Sequence, residues 1–274
     1  MLAALLAVPV PWLMARQRVF RRSPRAALAV WQAVTVGALA SGLGAAPAAL
    51  AVVLRDERPM AHLGTLSVLG AGSGLLLARL IVSGHRVGRH LRVLRRRHRE
   101  LVDIIARHAD GRLRVLAHPA PTAYCVPGLS PRLVISDGTL SRLTHDEIAA
   151  VLAHERSHLR ARHDLLMEFF TVVHEALPQR LRRTEVMAEV RLLIEALADG
   201  AAVKEVGRMS TARALLALSG SATPEAALGA ATTASPRIEV LAAGPLPRVV
   251  SALMYGYAAA LLAVPVAVAA WSVR

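Results

Sequence analysis

The chain has 274 residues, room for one or two domains. Hydrophobic residues make up 54% of it, yet 33 Lys+Arg stand against 19 Asp+Glu, a formal net charge of +14. Apolar and basic together suggest a membrane protein with cationic loops; 3% aromatics argue against nucleic acid, and one cysteine excludes an internal disulfide or a Cys-built zinc site.

Four segments carry little or no charge: residues 1–15, 27–54, 62–84 and 247–274. A spanning helix needs roughly 20 apolar residues. The second and fourth segments meet that requirement. The third meets it if Arg79 snorkels or faces protein. The first is short, and is read as a clipped or tilted span. A signal peptide is the alternative there, but no basic region precedes the apolar run.

The flanking charges set the orientation. Arg16, Arg18, Arg21, Arg22 and Arg25 follow the first segment. The linker "RDERP" is nearly neutral, and "HRVGRHLRVLRRRHRE" follows the third segment. The positive-inside rule puts both arginine-rich stretches in the cytoplasm and both termini outside. The arginine run is read as a topological signal that also meets anionic lipid.

Residues 85–246 form one soluble block. Residues 90–109 have a helical, amphipathic pattern. "RLRVLAH" alternates and reads as a strand; "TAYCVPG" and "RLVISDG" are short runs bounded by Pro and Gly, and read as strands or a hairpin. Residues 137–142 predict a short helix. Thr144 and Glu147 then fit a capping box, with Asp146 and Glu147 suited to the positive end of the helix dipole. A long helix is predicted over residues 184–206 and a short one near 211–218, followed by a loose linker back to the membrane.

The capped helix carries "HERSH". His154 and His158 are four residues apart and share one face, so both imidazoles can reach a Zn²⁺ at about 2.0–2.1 Å. Glu155 is turned by about 100° and can reach a water beside the metal without binding the metal itself. A catalytic zinc takes a third protein ligand and keeps one position open. Glu195, in the apolar run "LLIEALAD", is unfavourable to bury unless it meets a cation or an ion-pair partner. Asp199, one turn on, could accept a hydrogen bond from the far nitrogen of a ligand histidine. The plainer reading is a cytoplasmic helix with solvated His and Glu.

The stretch "PRLVISDGTLSRLTHDEIAAVLAHERSHLRARHDLL", with "TAYCVPG" before it and "EALAD" after it, resembles the gluzincin integral-membrane peptidases. Within these it is most similar to the BlaR/MecR beta-lactam-sensing peptidases, over about residues 110–205. The resemblance implies zinc at His154, His158 and Glu195, Glu155 as catalytic base, and a winged-helix transcriptional repressor as the cytosolic protein lost. No S-x-x-K sensor module is present, so beta-lactam sensing is not expected.

The expected architecture is a mainly α membrane protein with four transmembrane helices and a cytoplasmic α+β zincin-like (gluzincin) domain. The partners expected are the lipid bilayer of the cell membrane and a cytosolic protein substrate, with no direct nucleic-acid binding. Two other readings are an HtpX-like quality-control protease and a catalytically silent signalling scaffold; an intact Glu155 argues against the latter. His163 and His174 are read as solvated or capping residues, Cys125 as packing, and the segment of Tyr124 and Cys125 as a candidate edge strand beside the cleft. The trailing "RARHD" is read as a solvated continuation of the motif helix.

Overall fold

A computed structural model of the chain describes residues 9–219 and 234–273. Residues 1–8, which hold half of the first apolar segment, and residues 220–233, in the expected linker, lie outside the described residues. The protein is mainly helical and divides into two compact units. The first comprises Met1–His85, Val172–Met187 and Leu246–Arg274; the second comprises Arg86–Thr171 and Ala188–Pro245.

The first unit begins, among the described residues, with helix α1 (Pro9–Arg16). It is followed by α2 (Pro24–Val53), which packs along the last helix of the chain, α10 (Arg248–Val273). Small and branched residues of α2, among them Ala26, Ala27, Val30, Ala33 and Val34, are buried with Met254 and Ala258 of α10 in this unit's core. The two helices are tied at one end by Ser23 and Ser251, whose hydroxyls lie 2.7 Å apart. α3 (Leu63–Ile105) joins them through Ser73, which donates to the Gly42 carbonyl at 2.9 Å. The outward faces are apolar: Val52, Val68, Leu75, Ile81, Val249 and Leu253 are all exposed. Such a surface suits hydrocarbon rather than water.

Among the described residues, three helices are long and apolar enough to cross a membrane: Pro24–Val53, Pro59–Ile105 and Arg248–Ala267. The third apolar segment does not end in a break at residue 84. α3 continues as one 43-residue helix through the arginine-rich stretch. At 1.5 Å per residue it is about 65 Å long, twice a bilayer's hydrocarbon core. Its second half, from Arg86, belongs to the second unit.

In that unit, residues 106–109 are not the end of a helix but part of β1 (Ala106–Asp110). With β2 (Leu113–Leu116), β3 (Ala123–Val126) and β4 (Arg132–Ser136) it makes a sheet of order β1-β2-β4-β3. β2 and β4 are parallel; the outer pairs are antiparallel. Alternation along the strands serves two layers. Val115, Ala123 and Ile135 pack with Ala150, Val151 and Ala153, whereas Tyr124, Val126 and Val134 pack with Val102 of α3. Each fully buried branched side chain contributes about 1.5–3 kcal/mol. Asp103 of α3 binds Arg114 and Arg132, holding the helix against β2 and β4.

β4 turns directly into α4 (Asp137–Arg142), capped by Ser136. Gly138 is required at this turn, since a Cβ there would strike the backbone of Pro119. Next come α5 (His145–Arg160), α6 (His163–Ala176), α7 (Thr184–Val206), α8 (Arg208–Leu218) and α9 (Ala234–Ala243). α5 lies on β3 and packs against α8.

Candidate metal centre

Thr144 starts α5 by the predicted capping box. Its side chain accepts from the Glu147 N–H, and the Glu147 carboxylate accepts from the Thr144 N–H at 2.9 Å. Ile148, Val151 and Leu152 face the sheet-side core, which directs His154 and His158 inward. α7 is hydrophobic along much of its length and buries Leu192, Leu193 and Ile194 around Glu195.

The ligating atoms of His154, His158 and Glu195 all lie within 4.8 Å of one another. The two Nε2 atoms are 3.1 Å apart. Glu195 faces them with Oε2 at 3.3 Å from His154 and Oε1 at 3.5 Å from His158. Glu195 is 2% exposed and His158 0%. Oε2 of Glu195 is buried and accepts no hydrogen bond. Two imidazole nitrogens and a buried carboxylate converging at one point match the donor set and spacing of a zinc or similar divalent ion.

The far sides of the imidazoles are held as well. His154 Nδ1 lies 3.0 Å from Asp199 Oδ1, which directs the proton to Nδ1 and the Nε2 lone pair into the cluster. His158 Nδ1 lies 2.9 Å from His163 Nδ1, with the same effect on its Nε2. His163 is therefore buried rather than solvated, as is Asp164, which pairs with Arg95 and Arg162. α5 ends at Arg160, Arg162 takes φ +51°, and α6 starts at His163. The break turns "RARHD" back toward the cluster instead of out into solvent. His174 is also largely shielded, and its Nε2 has no hydrogen-bond partner.

Arg237, in α9, lies beside the same carboxylates. It donates from Nε to Asp199 Oδ2 at 2.8 Å and from Nη2 to Oδ1 at 2.5 Å, and sits 3.2 Å from Glu195 Oε2. Nothing in "ASPRIEV" singled it out; a lone arginine beyond an Ala/Thr/Ser/Pro-rich run has no helical register to the motif. His163 reads from sequence as solvated or capping because i+5 from His158 is off the helix face, and only the break at Arg162 returns it.

The electrostatics call for positive charge. Burial drives His154 down, but its contacts with the Asp199 and Glu195 carboxylates outweigh it and lift His154 to about 10. Burial leaves His158 neutral, pushed down to about 3, and His163 down to about 4. Burial raises Glu195, but His154, His158 and Arg237 override it and hold the carboxylate ionised. Glu155, buried with Oε2 unpartnered, is raised by desolvation. Its neighbour is the Cys125 thiol of β3, itself pushed up by burial and by Glu155. Cys125 thus packs against Glu155, and β3 forms the sheet edge with its four residues buried.

No solved structure matches the chain. Residues 89–232 match Peptidase family M48. That stretch covers more than half of the chain and includes His154, Glu155, His158 and Glu195. The site and the match agree in kind, since peptidases of this family depend on a metal and the cluster is compatible with one: the chain belongs to peptidase family M48.

Proposed function

We propose that the protein is a membrane-bound zinc endopeptidase that hydrolyses a cytosolic protein. The observation carrying this reading is the convergence of His154, His158 and Glu195 beside a buried Glu155 whose Oε2 has no hydrogen-bond partner. His154 and His158 through Nε2 and Glu195 through its carboxylate would hold the ion. Bound there, zinc supplies Lewis-acid polarisation of the scissile carbonyl and of the attacking water. Glu155 accepts the proton that this water gives up and passes it to the leaving amine nitrogen. Its desolvated carboxyl, raised above the usual range, suits both halves of that transfer. Asp199 and His163 fix the two imidazole tautomers, and Arg237 steadies Asp199 and Glu195.

The peptidase unit lies in the cytoplasm on this reading, because the arginines of α3 follow its apolar half directly. The resemblance to BlaR/MecR-type peptidases makes a transcriptional repressor the first substrate to test. Quality control of membrane proteins is the second reading. It is favoured by Arg79 and Ser83, which bind the segment between the two ligand-bearing helices to the apolar half of α3.

The test compares the parent with Glu155→Ala. Equal zinc content, with cleavage of a co-expressed repressor or a misfolded membrane protein by the parent alone, supports the enzyme and identifies its substrate class. Absence of zinc from both proteins sinks the site.

A further inference from the structure

We propose that residues Val172–Met187 form a wedge inserted into the bilayer leaflet from which the arginine-rich half of α3 emerges. This rests on the reading that residues 63–84 of α3 cross a membrane.

The register gives the depth. Ser83 Oγ donates to the Val172 carbonyl at 2.8 Å, and Gly84 faces the Val172 side chain. One turn earlier on α3 and one turn later on α6, Arg79 Nε donates to the Ala176 carbonyl at 2.5 Å and Nη2 to that of Leu177 at 3.2 Å. α6 therefore runs antiparallel to α3, away from the charged end and down its apolar stretch. Arg79 lies about 8 Å inside the border at Gly84, taking 1.5 Å per residue. Interfacial helices bury their apolar face about 5–10 Å into the headgroup and acyl boundary.

The helix end is built for such a place. In water the last carbonyls of a helix can be left to solvent; in lipid each needs a partner from the protein. Arg182 donates from Nη2 to the Glu175 carbonyl at 2.7 Å and from Nε to that of Leu177 at 3.0 Å, while Arg79 takes Ala176 and a share of Leu177. Two guanidiniums thus satisfy three consecutive carbonyls at the negative end of α6, and Arg182 is itself neutralised by Glu175 at 2.9 Å. Beyond them Leu181 is 37% exposed, with Arg180 and Arg183 exposed on either side. An apolar residue between arginines fits acyl chains below and lipid phosphates beside them. The occupant is the bilayer itself.

The test uses the full chain reconstituted into bilayers of phosphatidylcholine and phosphatidylglycerol. Single spin labels go on Leu181→Cys and Gln179→Cys, with Leu75→Cys in α3 and Leu129→Cys on the peptidase unit as references. The unsubstituted chain is the blank, since Cys125 is buried. Collision with oxygen reports lipid, and collision with a water-soluble nickel chelate reports water. The expected result is several-fold weaker nickel collision at Leu181 and Gln179 than at Leu129, with oxygen collision approaching that at Leu75. Labels at both tip positions that behave like Leu129, while Leu75 reads as lipid, overturn the wedge alone. A Leu75 label that reads as aqueous overturns the membrane reading, and the wedge with it.

Discussion

His158 meets His163 nitrogen to nitrogen at 2.9 Å, both buried, across the helix break at Arg162. A histidine thus fills the position beside a candidate ligand imidazole where a carboxylate or carbonyl more often sits. Replacing His163 with Ala removes the acceptor that keeps the His158 proton on Nδ1. Zinc affinity, measured by chelator competition, is expected to fall about 10–100-fold. Asn at the same position can accept through its side-chain oxygen and is expected to recover part of the loss. Unchanged affinity in the Ala variant would remove His163 from the site.

Glu155→Gln keeps the shape of the site but removes the base. Zinc content is expected to stay at the parent level, while turnover drops at least about 10²–10⁴-fold. Loss of zinc along with activity would make Glu155 a structural residue.

Arg237→Met leaves Glu195 and Asp199 facing each other without their guanidinium. Breaking a buried ion pair from one side costs about 3–5 kcal/mol. The metal-free variant is expected to melt well below the metal-free parent, and zinc is expected to restore part of the difference by neutralising Glu195. Equal melting temperatures without metal would show that the Arg237 contacts carry no stability.

Proton release accompanies metal uptake. Metal-free His154 is lifted to about 10, so it is protonated at neutral pH, whereas His158 at about 3 is already neutral. Zinc needs both lone pairs, and His154 must give up its proton. The raised value means that competition by protons is present below about pH 10 and strengthens as pH falls. Apparent zinc affinity is therefore expected to weaken about tenfold per pH unit between pH 9 and pH 6. Calorimetry in buffers of different ionisation enthalpy should find about one proton released per zinc. A value near zero would place His154 in its neutral form before metal arrives.

Local signals made much of this legible. The capping box at Thr144 and the i, i+4 histidines depend only on neighbours in sequence, and α5 carries both where the pattern predicts. Glu195 and Asp199 stood out because a carboxylate amid Leu and Ile demands a partner; the structure supplies His154, His158 and Arg237 around them. Long-range contributions were invisible. His163 depends on one left-handed residue, Arg162. Arg237 depends on the return of a segment 38 residues beyond Asp199. β1 was taken for the end of a helix because "ARHAD" has no alternation; its strand form comes from pairing with β2. The unbroken α3 was hidden by its change from apolar to arginine-rich, which marks a change of solvent rather than of backbone.

Arg237 also carries a consequence for the order of assembly. During synthesis the two histidines, Glu195 and Asp199 leave the ribosome well before residue 237 does. Until residue 237 has been made, the two buried carboxylates lack their guanidinium partner. The cationic partner of these two carboxylates is thus the last part of the cluster to be made.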